Sequence, residues 1–148
     1  MKPEVDQILG LSAGQLLASI APLLPAGYEQ GTASLVAFMM MLSAQEYDRA
    51  ADIRAVENTE LRALFGELAP LIPDAKLKSA LLEAAPTKDV SLSVSVLNAA
   101  NHELRRLLIA LQTLVEQMPG SKARAAERRI WDVLRASAAR RLVRLPVG

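Results

Sequence analysis

Three features of the chain predict an all-α domain. Hydrophobic residues make up 51% of it and aromatics only 3%, so the core has to be assembled from Leu, Ala, Val, Ile and Met, a set that suits packed helices better than sheets. Residues 94–118 place Leu97, Leu104, Leu108, Leu111 and Val115 at three- and four-residue spacing, one stripe of a helix. Prolines 22, 25, 70, 73, 86 and 119 separate long stretches that contain none, which marks short connections between helices. At 148 residues the chain suffices for one domain with one core, residues 1–148. The expectation is a bundle of four to five helices with antiparallel neighbours.

The first residues, M-K-P-E-V-D-Q, alternate in charge and lack the basic start of a signal peptide. A turn can form over residues 3–9. Ser12-Ala13-Gly14-Gln15 reads as a capping box, in which the Ser and Gln side chains satisfy opposite backbone donors. A helix over about 13–21 follows, ended by Pro22 and Pro25. Between residues 7 and 45 the single charged side chain is Glu29. Glycines and prolines interrupt the first apolar run, and the second, 31–44, is shorter than the roughly 20 residues a bilayer requires. No membrane span is expected, and the chain reads as soluble and cytoplasmic.

Residues 28–68 sustain a helical pattern, giving one helix of about 60 Å at 1.5 Å per residue, or two that meet near 43–46. Residues 35–42, L-V-A-F-M-M-M-L, are apolar on every face, and such a helix has to be covered on every face. Val36, Phe38, Met39, Met40, Met41 and Leu42 are therefore the expected surface of a homodimer. At 100° per residue Leu35, Met39, Leu42, Glu46, Ala50, Ile53, Glu57, Leu61 and Leu64 share one face.

Pro70 and Pro73 close the long element, and Asp74 is placed to cap a short helix over 75–85 that stops before Pro86. Val90, Leu92, Val94 and Val96 alternate with serines, which is a strand signal. A lone strand has no partner here, however, and Val90, Val94, Leu97 and Asn101 also fit helical spacing. The central helix is therefore expected over about 89–118. Pro119-Gly120 ends it, and Ser121 is expected to cap a last helix over 122–144.

Polar groups interrupt the apolar stripes. Asn101 stands where the period calls for a leucine, Asn98, Arg105 and Gln112 follow its edge, and Glu46 and Glu57 fall on the long helix's apolar face. Glu46, Glu57, Asn98, Asn101 and Arg105 form the candidate cluster, either a satisfied layer that fixes helix register or a small-ligand or catalytic site. A desolvated carboxylate needs a cation or several donors. Arg105 is expected to meet Glu57 bidentately.

Recognisable reaction machinery is scarce. With no Cys and one His, disulfides, thiolate metal sites and the familiar nucleophile–base pairs have little to draw on. No G-x-G-x-x-G, Walker loop or G-x-S-x-G occurs, so no cofactor is expected, and an enzyme would have to work through Glu and Arg chemistry. Nor is a metal expected. Glu46 and Glu57 lie about 16 Å apart along a helix, and no His accompanies Glu57 and Glu60 at the Glu-x-x-His spacing. His102-Glu103-Leu104-Arg105-Arg106 matches H-E-x-x-H in its first half alone, because Arg106 is a cation at the second ligand position.

The net charge of +1 is unevenly spread. Residues 1–118 hold 9 Lys and Arg against 14 Asp and Glu, a balance of −5, and residues 119–148 hold 8 against 2, a balance of +6. On the last helix Lys122, Arg129, Arg140 and Arg144 occupy one flank and Arg124, Arg128 and Arg135 another. Arg141 borders the apolar face of Ile130, Leu134 and Ala138. Split charge with Trp131 as its one aromatic is a poorer nucleic-acid footprint than a single stripe. A basic helix docked on the acidic body or on a second subunit fits better. The function expected is that of a helical interaction protein (adaptor, chaperone or assembly subunit) acting as a homo-oligomer, with a possible protein partner. The alternatives are a small-ligand protein or enzyme using the Glu/Asn/Arg cluster, and nucleic-acid binding through the last helix.

Overall fold

In the computed structural model, which describes residues 3–142, proline and glycine punctuate five α-helices: α1 (Val5–Gln15), α2 (Tyr28–Leu68), α3 (Ala75–Ala84), α4 (Val94–Gln117) and α5 (Ser121–Arg140). No strand occurs among the described residues. The all-α fold that the composition and leucine spacing predict is the one observed, and the 28–68 pattern is a single helical element. The described residues form two units, 3–50 and Ala51–Leu142, whose boundary falls inside α2.

In the first unit the expected start at Ser12 is wrong. The helix is already under way at Val5, with Glu4 at its N-cap position, and it passes through Ser12 into a π turn (Leu16–Ile20) and a 3-10 turn (Ala21–Leu23) holding Pro22. A serine can cap only where the residues before it leave helical geometry. Residues 5–11 contain just one weak breaker, Gly10, which costs about 1 kcal/mol in a helix interior. Gly27 then turns the chain at φ 126°, a conformation open chiefly to glycine. Its carbonyl accepts from the Gly31 amide to begin α2, and Gln30 Nε2 donates to the Ala21 carbonyl at 3.2 Å.

The buried residues of this unit are Ala13, Ala21, Ala37 and Ala50. That corrects the expected face of the long helix, because Leu35 is 60% and Met39 54% exposed while Ala37 is fully covered. A segment apolar on every side carries no period from which its covered side could be read.

The second unit has a core of larger side chains. Leu61, Leu64, Phe65 and Leu68 of α2 pack with Ile72, Leu81 of α3, Leu104, Leu108, Leu111 and Val115 of α4, and Ala126, Ile130 and Val133 of α5. The α4 stripe is buried at 97, 101, 104, 108, 111 and 115, the alternating four–three spacing of a helix seam. Asp74 caps α3 as expected, accepting from the Leu77 amide at 2.6 Å.

Two boundaries differ from expectation. The central helix starts at Val94 rather than near Asp89. Thr87 and Asp89 are engaged by side chains of α2, and Val90 and Leu92 lie in water at 91% and 72% exposure, neither helix nor strand. α5 begins with Ser121 already helical, and the cap position is Gly120 at φ 97°, so Ser121 does not cap. α5 ends at Arg140, and Arg144 lies outside the described residues.

Candidate functional site

Successive turns of α2 bring Glu57, Leu61 and Leu64 onto one row and Asn58, Arg62 and Phe65 onto the next, all of them buried. Charged and amide groups are thereby carried into a leucine core, and each has to find its partners there. The Glu57 side chain, with the residue 2% exposed, is met from two helices. Arg105 of α4 donates Nε to Oε1 at 2.7 Å, and its Nη2 reaches the same oxygen. Arg141, just beyond α5, donates Nη2 to Oε2 at 2.6 Å. The Arg105–Glu57 pair is the one expected from the sequence, but its geometry is corrected. Each carboxylate oxygen has its own arginine, because Arg141 claims the oxygen that a bidentate fork would have used. Burial by itself would push the Glu57 carboxyl up. The hydrogen bonds from Arg141 and Arg105, with the charges of both, outweigh it and hold the group below the usual glutamate range.

Two further pairs join α2 to α5. Arg140 engages Glu60 through both terminal nitrogens, Nη1 to Oε1 at 3.0 Å and Nη2 to Oε2, and Arg129 Nε donates to Glu67 Oε2 at 2.9 Å. As the α2 number rises through 57, 60 and 67, the α5 partner falls through 141, 140 and 129. This is a basic helix laid antiparallel on an acidic one, and it engages Arg129, Arg140 and Arg141 of the cationic C-terminal stretch.

A second strand of the network runs between α2, α4 and residues 85–93. Asn101 Nδ2 donates to Asn58 Oδ1 at 2.9 Å. Asn58 Nδ2 in turn donates to the Leu97 carbonyl at 3.2 Å and to Asp89 Oδ1 at 3.1 Å. Arg62 donates Nη2 to Asp89 Oδ1 at 2.7 Å and Nε to Thr87 Oγ1 at 2.9 Å, and Thr87 Oγ1 itself donates a hydrogen bond to the Ala84 carbonyl at 2.7 Å. Asn98 accepts from Arg54 Nε.

Of the expected cluster, Glu57, Asn98, Asn101 and Arg105 therefore all lie in the second unit, and Arg54, Asn58, Arg62, Thr87, Asp89 and Arg141 join them there. Glu46 belongs to the first unit and is exposed. Arg141 carried a sequence signal, a cation bordering an apolar stripe at a helix end. Asp89 carried none, since its segment reads as helix. His102 is exposed, as its angle from the leucine stripe implies.

A cleft of ≈ 610 Å³ opens between α2 and residues 85–89, with Arg62, Thr59, Thr87 and Lys88 in its walls. The Thr59 and Thr87 hydroxyls are committed to backbone carbonyls and Arg62 to Asp89. Among the described residues no group of three or more His, Cys, Asp or Glu side chains is placed to hold a metal ion, and no helix is long and apolar enough to cross a membrane. Comparison with protein-family models, with curated protein sequences and with solved structures returns no match.

Proposed function

We propose that the chain is a helical interaction protein (an adaptor, chaperone or assembly subunit) that works as a homo-oligomer, most simply a dimer. One observation carries this reading: in the first unit, among the described residues, no side chain larger than alanine is buried. Twelve large hydrophobic side chains of that unit are exposed, and exposed apolar surface gathered in one part of a chain is the kind an association site presents. Val36, Phe38 and Met39 are exposed at 47%, 40% and 54% in the middle of the charge-poor stretch, with Met40, Met41 and Leu42 half-buried beside them. A second copy of the same surface supplies the missing partner atoms, and a stable dimer needs about 800 Å² from each chain. The polar network supports a structural role for Glu57, Asn98, Asn101 and Arg105, since each bonds to a side chain of another helix and so helps specify how α2 and α4 align.

Light scattering at micromolar concentration should give twice the 16.0 kDa chain mass, and Met39→Glu should shift it toward the monomer with helicity retained. A wild-type chain that stays at the single-chain mass at tens of micromolar would sink the proposal.

A further inference from the structure

We infer that the outward face of α5 is a docking surface for an acidic amphipathic helix of a partner protein. The contacts with α2 sort the C-terminal cations into two sets. Arg129, Arg140 and Arg141 are paired to Glu67, Glu60 and Glu57. Arg124, Arg128 and Arg135 are turned to solvent, and with Trp131 they occupy positions 124, 128, 131 and 135. At 100° per residue these four side chains fall within an arc of about 60°, on the side away from the buried Ile130, Val133 and Ser137. Trp131, the single tryptophan of the chain, is 43% exposed in that row. Tryptophan and arginine are the residue types most enriched at the energetic centres of protein interfaces.

The four–three–four spacing is the one along which a helix meets a second helix. The row is about 16 Å long and cationic, so the matching partner presents Glu or Asp opposite the three arginines and a small residue opposite the indole. A nucleic acid fits less well. Asp132 lies at the edge of the row, paired to Arg135 at 3.2 Å, which already balances one of the three cationic charges. Three arginines also fall short of the 6–10 phosphate contacts, on the order of which strong backbone binding draws. This inference rests on the reading of the chain as an interaction protein but is independent of its self-association.

Because Trp131 is the only tryptophan, its emission reports on this face alone. The probe is a synthetic alanine-based helical peptide bearing Glu at the three matching positions, titrated into the full chain beside an oligothymidylate of about 12 nucleotides. The peptide is expected to shift Trp131 emission saturably, and its Glu→Lys counterpart to leave the emission unchanged. Arg124→Ala or Arg128→Ala should weaken binding about fivefold, and Trp131→Ala, read by anisotropy of a labelled peptide, about thirtyfold. Arg129→Ala should leave it within about twofold, since that side chain faces Glu67. Circular dichroism verifies that these exposed-site variants remain folded. The inference is overturned if the peptide gives no saturable response, if Arg128→Glu binds it as tightly as wild type, or if oligothymidylate binds more tightly than the peptide. Light scattering on the same samples separates the two proposals. A dimer that ignores the peptide removes this inference alone, and a monomer that binds it removes self-association alone.

Discussion

Glu57 keeps a charge in the core because two guanidiniums reach it from different helices, and removing either should cost less than removing both. With one arginine gone, the other still neutralises the carboxylate. Both arginine side chains are also about two-fifths exposed, at 43% and 38%, so water screens part of each interaction. Arg105→Ala or Arg141→Ala alone should destabilise by about 1–3 kcal/mol. The double variant should lose more than the sum, toward the range of about 3–5 kcal/mol for a stranded buried charge, and Glu57→Gln in that background should recover part of it. Urea unfolding of these four variants beside wild type measures this, and strict additivity would show that the arginines act separately. The acid limb tests the same group. The folded carboxyl titrates below its unfolded value of about 4.3, so its contribution is fully present above that pH and is lost as the pH falls through the lower, folded value. Glu57→Gln should flatten the stability profile in that window.

Among the elements, α5 depends on a single residue just before its first turn and α4 on a single polar residue inside its buried row. Gly120 stands at φ 97° and ψ 177° before α5, a backbone region essentially restricted to glycine. A Cβ there would meet no atom within 4 Å, so Gly120→Ala tests the backbone alone and should cost about 1–3 kcal/mol in thermal or urea unfolding. On α4 the leucine row is interrupted by Asn101, whose amide supplies the donor to Asn58 Oδ1. Asn101→Ala should cost about 1–3 kcal/mol, because it leaves a buried acceptor unsatisfied as well as a gap in the row. An unchanged denaturation midpoint would mean that Asn58 finds another donor.

At the scale of the molecule, the two units should differ in stability. The second buries Phe65 and a set of leucines, and the first buries alanines. Alanine burial brings little transfer free energy, since the hydrophobic contribution follows apolar area at about 25 cal/mol per Å². Amide exchange of α1 should accordingly be faster than that of α4, and it should slow as protein concentration rises if association covers the apolar surface. Met39→Glu should abolish that concentration dependence without altering exchange in α4. Equal, concentration-independent protection of α1 and α4 would count against the unit needing a second copy.

The sequence by itself determined the all-α class, the helical pattern over 28–68, the leucine row of α4 with Asn101 inside it, the Asp74 cap and the chemical need of Glu57 for a cation. Each follows from a local rule: a period of 3.6, a cap three residues from its amide, or a carboxylate on an apolar stripe that requires a cation. Tertiary structure alone decided that Arg141 takes the second Glu57 oxygen, that Asn58, Arg62 and Asp89 join the network, and that α4 begins after Asp89 is bound to α2. It also decided which side of residues 35–42 is covered. These outcomes depend on which helix lies opposite and in what register. Hydrogen bonds and burial between α2, α4 and α5 link residues dozens of positions apart, and no pattern within one helix encodes the height at which its neighbour packs.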